Sequence, residues 1–137
     1  MKSQIKFPSK IENINIVEKL VDELTQQYNI NSEVYGNMLV SMVEAVNNAI
    51  IHGNKLDESK MVCIEYELNN GEFIFSVKDE GNGFNYNNIP DPTAPENLEK
   101  PHGRGIFLIS HLADEIKFED NGSKICVKIK LNPQNNN

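Results

Sequence analysis

The hydrophobic positions of this chain follow two rhythms in turn. From Ile11, apolar residues recur every three or four positions, at Ile14, Val17, Leu20, Val21 and Leu24. That spacing predicts an amphipathic helix over 10–28. Ser9 and Glu12 make a capping-box pattern in front of it, with a hydroxyl to accept a helix-start N–H and a carboxylate to reach back. Residues 29–32 interrupt the rhythm. It resumes at Val34, Met38, Met42, Val43, Val46 and Ile50, so a second helix is expected from about Ser32 to about Ile51. His52-Gly53-Asn54 ends it, as Gly and Asn just past a periodic run commonly do. Ahead of both helices, residues 2–7 are expected to form a short edge strand that stops at Pro8.

The period then becomes two. Val62, Ile64, Tyr66 and Leu68 alternate with Cys63, Glu65 and Glu67, and Asn69-Asn70-Gly71 reads as a hairpin turn. Phe73, Phe75 and Val77 alternate in the returning strand, which is expected to end at Asp79. Residues 85–101 carry Pro90, Pro92, Pro95 and Pro101. So long a connection is expected to be a functional flap, a lid gated by ligand, rather than a simple turn. A helix is expected over about 103–114. Ile116 and Phe118, the turn Asn121-Gly122-Ser123, and Ile125, Val127, Ile129 and Leu131 then form a second hairpin. Two hairpins exclude an all-parallel sheet. The expected fold is an α/β two-layer sandwich, its sheet antiparallel or mixed, with helices on one face. A chain of 137 residues is one domain by length, assigned to 1–131, with 132–137 a polar tail expected to be disordered.

Charge narrows the partners. The formal net charge is −7 and the pI about 4.9. An acidic surface argues against nucleic acid and anionic membrane, but not against a nucleotide held by a few local donors. There is no long apolar run and no signal-peptide pattern, so a soluble, cytoplasmic protein is expected. Cys63 and Cys126 lack a Cys-x-x-Cys spacing and read as reduced, partly buried thiols.

Three segments carry the chemistry, in fixed order: EAVNNAIIHG at 44–53, DEGNGF at 79–84 and HGRGIF at 102–107. Glu44 and Asn48 stand four apart on one helix face, with Asn47 beside them. Either the two Asn side chains bond neighbouring structure, or an Asn carboxamide oxygen ligates Mg²⁺ while Glu44 deprotonates a hydroxyl attacking a γ-phosphate. His52, at the helix end, reads more readily as structural than catalytic. Asp79 ends a strand and precedes Gly81 and Gly83: a glycine-rich turn, or a carboxylate placed to accept from the amino group of adenine. Gly103 and Gly105 sit at a helix start, where bare N–H groups favour phosphate; Arg104 either adds charge there or is a solvated residue. Neither the Walker loop nor the Rossmann fingerprint is present.

In this order the segments resemble the N box and the two glycine boxes of the GHKL (Bergerat-fold) ATPase superfamily. More narrowly, the chain is similar to the small RsbW-type anti-sigma factor serine/threonine kinases, through HGNK after the N box, the stretch IPDPTAPENLEKPHGRGIFLI, and LADEIKF. The resemblance spans about residues 5–131. It implies ATP with Mg²⁺, Glu44 as the base, Asn48 as the metal ligand, and Asp79 as the adenine reader. Gly81 and Gly83 would lie under the base, and Gly103 and Gly105 on the phosphate side. Some relatives carry a basic residue just before the second glycine box that reaches the γ-phosphate; Lys100, His102 and Arg104 are the candidates to replace it here. The implied partners are a STAS-type anti-anti-sigma protein, phosphorylated on serine or threonine, a sigma factor, and a second copy of the chain. The alternatives are a non-catalytic ATP-binding module that sequesters a partner, a sensor histidine kinase catalytic domain, and a gyrase- or chaperone-like ATPase. The last two would need a dimerisation or transducer domain beside the fold.

Overall fold

The computed structural model describes residues 2–82 and 101–131, the side chains of 101–103 excepted. The proline-rich connection before Pro101, Gly83, Lys100 and the polar tail lie outside the described residues.

The chain opens with strand β1 (Ser3–Pro8), a 3₁₀ turn (Ile11–Asn13) and helix α1 (Ile14–Tyr28). Helix α2 (Ser32–Asn47) runs directly into a π-helical turn (Asn48–Gly53). The hairpin β2 (Met61–Asn69) and β3 (Glu72–Lys78) follows, then helix α3 (Pro101–Leu112) and the hairpin β4 (Glu115–Glu119) and β5 (Lys124–Lys130). The five strands form one sheet in the order β1-β2-β3-β5-β4. Every pairing is antiparallel, which settles the choice between antiparallel and mixed for the described strands.

Alternation along the strands sends Phe7, Val62, Ile64, Phe73, Phe75, Val77, Ile125, Val127 and Ile129 to one face. There they meet Val17 and Val21 of α1, Met38, Met42 and Val46 of α2, and Ile109 of α3 in a single core. Each such side chain, fully buried, stabilises the fold by about 1.5–3 kcal/mol before the entropy of ordering it is counted. The opposite face is polar. One cross-strand row there reads Gln4, Glu65, Ser76, Cys126, Lys117. Both cysteines lie on this face as free, half-buried thiols, as expected.

The turns obey their residues. Asn70 and Gly71 both take positive φ, 55° and 77°, which is what a tight Asn-Gly hairpin requires. The capping box does not form. Ser9 is buried, and its hydroxyl donates to the Lys60 carbonyl at 2.7 Å and accepts from Asn54 Nδ2 at 2.7 Å. Two bonds inside the fold outweigh one exposed cap, so α1 begins through the 3₁₀ turn with no side-chain cap. At α2 it is Asn31 that caps, accepting from the Val34 N–H at 2.9 Å. Helix α3 starts two residues earlier than its apolar spacing suggests, because Pro101 suits the first helical position. Among the described residues no helix is long and apolar enough to cross a membrane.

Candidate functional site

Helix α2 and its π turn hold the N-box segment as one continuous piece. Glu44 is half-buried on the side facing α3, and a methyl group at Gly105 would lie 2.9 Å from its Oε1. One turn on, the Asn48 N–H bonds the Glu44 carbonyl, so the two side chains do leave the same face. Asn48 Oδ1 is buried and has no hydrogen-bond partner among the described residues. An amide oxygen left so costs roughly 1–3 kcal/mol, which a ligand would recover. That orphaned oxygen fits a hard cation such as Mg²⁺, which takes oxygen ligands and brings phosphates as its other partners. Among the described residues no group of three His, Cys, Asp or Glu could hold a metal by itself. Asn47 is half-buried beside it.

Beyond Asn48 the helix widens. The Asn54 N–H reaches back to the Ala49 carbonyl and the Leu56 N–H to the Ile50 carbonyl, both at 2.8 Å. Such π turns recur at functional sites because they re-aim the chain without ending the helix. Here the wider turn presses Gly53 onto Asp79. Any side chain at Gly53 would overlap the Asp79 carboxylate, and any at Gly81 would overlap the Gly53 carbonyl. The two glycines are thus needed for close approach.

Asp79 lies one residue past the end of β3 and is 7% exposed. Its N–H bonds the Ser123 carbonyl at 2.9 Å, and its Oδ1 accepts from the Gly81 N–H at 2.7 Å. Burial pushes the carboxyl up from its ordinary value, against the opposing pull of that N–H and of the Lys78 and Lys60 charges. Beneath it sits Asn54, 1% exposed. Asn54 donates to Ser9 Oγ and to the Met61 carbonyl at 3.1 Å, and accepts from the Glu80 N–H at 2.7 Å. It ties β1, β2 and the segment carrying Asp79 together.

The structure therefore brings Glu44 against Gly105, and Asp79 against Gly53 and Gly81. Gly103 falls in the first turn of α3 and Arg104 is exposed there, so both glycines of the second box lie inside the helix rather than ahead of it. His52 is half-buried in the π turn. Gly83 and Lys100 lie outside the described residues, as does the His102 side chain. By spacing, Gly53 and Asn54 read as a helix stop, and otherwise only as part of the HGNK string. Nothing in a Gly-Asn pair distinguishes an exposed stop from a buried hub; the hint was the spaced pair of glycines downstream, Gly81 and Gly83.

Comparison with known proteins agrees with this fold. Residues 7–130 match the family described as the histidine kinase-like ATPase domain. An anti-sigma F factor of Clostridium perfringens is 31% identical over 138 residues, covering 96% of this chain and 97% of that protein. The serine-protein kinase RsbW of Oceanobacillus iheyensis is 24% identical, covering 85% of this chain and 78% of that one. Among solved structures, the RsbU and RsbW domains of Rv1364c from Mycobacterium tuberculosis superpose with a TM-score of 0.65 at 15% identity, over 94% of this chain and 31% of that one, a likeness of fold. With residues 7–130 matched to that family and a five-stranded antiparallel sheet beneath three helices, the chain belongs to the histidine kinase-like ATPase domain family, alongside the anti-sigma F factors and RsbW kinases.

Proposed function

We propose that this chain is an ATP-dependent protein serine/threonine kinase of the anti-sigma type, acting on a small STAS-type anti-anti-sigma protein. The supporting observation is the single stretch 44–53. It carries a carboxylate at one end, an orphaned amide oxygen at Asn48, and at the other end the glycine that seats Asp79. From Glu44 to Gly53 is nine residue steps, on the order of 13 Å at the α-helical rise. That is close to the length of an extended nucleoside triphosphate, with its base at Asp79 and its γ-phosphate near Glu44.

Asp79 accepts a hydrogen bond from the exocyclic amino group of adenine. Asn48 Oδ1 would hold Mg²⁺, which when bound offsets the charge of the phosphates. The free N–H groups in the first turn of α3 face phosphate, aided by the positive end of the helix dipole. Glu44 takes the proton of the partner's hydroxyl as that oxygen bonds the γ-phosphorus; the bond to the β-phosphate oxygen breaks and ADP leaves with the electron pair. In the regulatory half of the proposal, the unphosphorylated partner releases the kinase from a sigma factor, and phosphorylation ends that release. The chain works as a homodimer.

The decisive experiment is capture of partners from the native cell on the tagged chain, followed by incubation of the retained small protein with labelled ATP. Label on a serine or threonine of that protein supports the proposal. ATP-dependent retention without label would make the chain a stoichiometric regulator instead. Glu44→Ala should leave Mg-ATP binding largely intact and slow transfer by ~10²–10⁴-fold. Asn48→Ala should weaken Mg-ATP binding itself, read by calorimetry with and without the metal.

A further inference from the structure

We propose that Gly105 is a positioning residue for Glu44: the space its missing side chain leaves is the seat of the carboxylate. The inference rests on Glu44 being the base. Gly105 is buried in α3. A Cβ built there would stand 2.9 Å from Glu44 Oε1, 3.9 Å from Glu44 Cβ and 4.0 Å from Glu44 Cδ, and these are its three nearest neighbours. Among the described residues, the backbone of α3 itself aside, Glu44 supplies every atom that crowds the space Gly105 leaves.

The other explanation for a glycine here is a phosphate contact, and it fits poorly. Only the first four N–H groups of a helix lack an intrahelical partner. Gly105 is the fifth residue of α3, so its N–H belongs to the helix ladder. A phosphate held by the first turn would not require glycine at this position. Nor does the backbone, because alanine is the better helix former. What requires glycine is the carboxylate.

The contact also says what gives way. Oε1 is the far end of a flexible side chain, whereas the Cα of residue 105 is fixed in a packed helix. A methyl group there moves the carboxylate and leaves the fold intact. A displacement of about 1 Å at a reacting group costs on the order of 100-fold in rate.

The test compares Gly105→Ala, Glu44→Ala and the double variant with the wild type. Three quantities are read: phosphate release from saturating Mg-ATP, the Kd for Mg-ATP, and the Tm without nucleotide. Gly105→Ala should lower the saturated rate by roughly 10- to 100-fold while Kd changes by about threefold or less. In the Glu44→Ala background the same substitution should slow nothing further. Without nucleotide it should raise the Tm of Glu44→Ala by about 4 °C through helix propensity, and that of the wild type by clearly less, because there the carboxylate must shift. Equal rate losses in both backgrounds, or a loss falling on Kd with the rate kept, would overturn the inference. A Glu44→Ala protein as fast as the wild type would instead overturn the base assignment. The Tm comparison then still decides whether the two residues share the space.

Discussion

Asp79, the proposed reader of adenine, also carries a cost to the fold. Burying its carboxylate disfavours the charged form, which is why burial raises its pKa. The folded state therefore holds this proton more tightly than the unfolded one. Below the ordinary carboxylate pKa, near pH 4, there is no difference between the two states. The cost of burial appears as pH rises through the raised value and stays at neutral pH. Asp79→Asn should thus melt higher than the wild type at pH 7 without nucleotide, the gap closing below about pH 4, as scanning calorimetry would record. The same substitution should weaken ATP by roughly 10- to 100-fold and abolish the preference over GTP, since one charged hydrogen bond is worth ~1.5–3 kcal/mol. Unchanged preference in titration calorimetry would remove Asp79 from the base pocket. At this scale the sequence was legible where chemistry is rare: an acid ahead of spaced glycines, a Glu and Asn one turn apart. It was not legible for Ser9, whose hydroxyl serves Lys60 and Asn54 rather than its own helix, because those partners are dozens of residues away.

The element that organises the site is α2 with its π turn. Gly53 is pressed on Asp79 by that turn, so Gly53→Ala should displace the carboxylate and cost both ATP affinity and stability. Asn54→Ala should cost about 2–4 kcal/mol in a urea melt, because it leaves the buried Ser9 hydroxyl short of a donor and the Glu80 N–H without its acceptor. A loss under about 0.5 kcal/mol would mean water replaces the amide readily. Hydrophobic spacing located the three α-helices and strands β2 to β5 to within a few residues, since one face of each is buried against a common core. It could not reveal the π turn. Val46 and Ile50 keep helical spacing whether the ladder beyond them is α or π. It also could not give the sheet order, in which β3 pairs with β5 across a long connection.

For the molecule as a whole, the nucleotide is bound only by the folded state. At ATP about 100 times its Kd, linkage adds about 2.7 kcal/mol. For a chain of this size the Tm should rise by roughly 8–12 °C. In Asp79→Asn at the same concentration, the gain should fall to about 0.4–1.4 kcal/mol, measurable by thermal shift. The sheet that supports this fold ends at β1 and β4, and an open edge invites another strand. Glu115, Lys117 and Glu119 alternate along β4 and are exposed. Let a second β4 approach antiparallel, centred on Lys117. Glutamate then faces glutamate at both ends and lysine faces lysine in the middle, and every such pair repels. The edge is thereby unattractive to its own copy, so a concentrated solution of this protein should stay clear of fibres that grow strand upon strand.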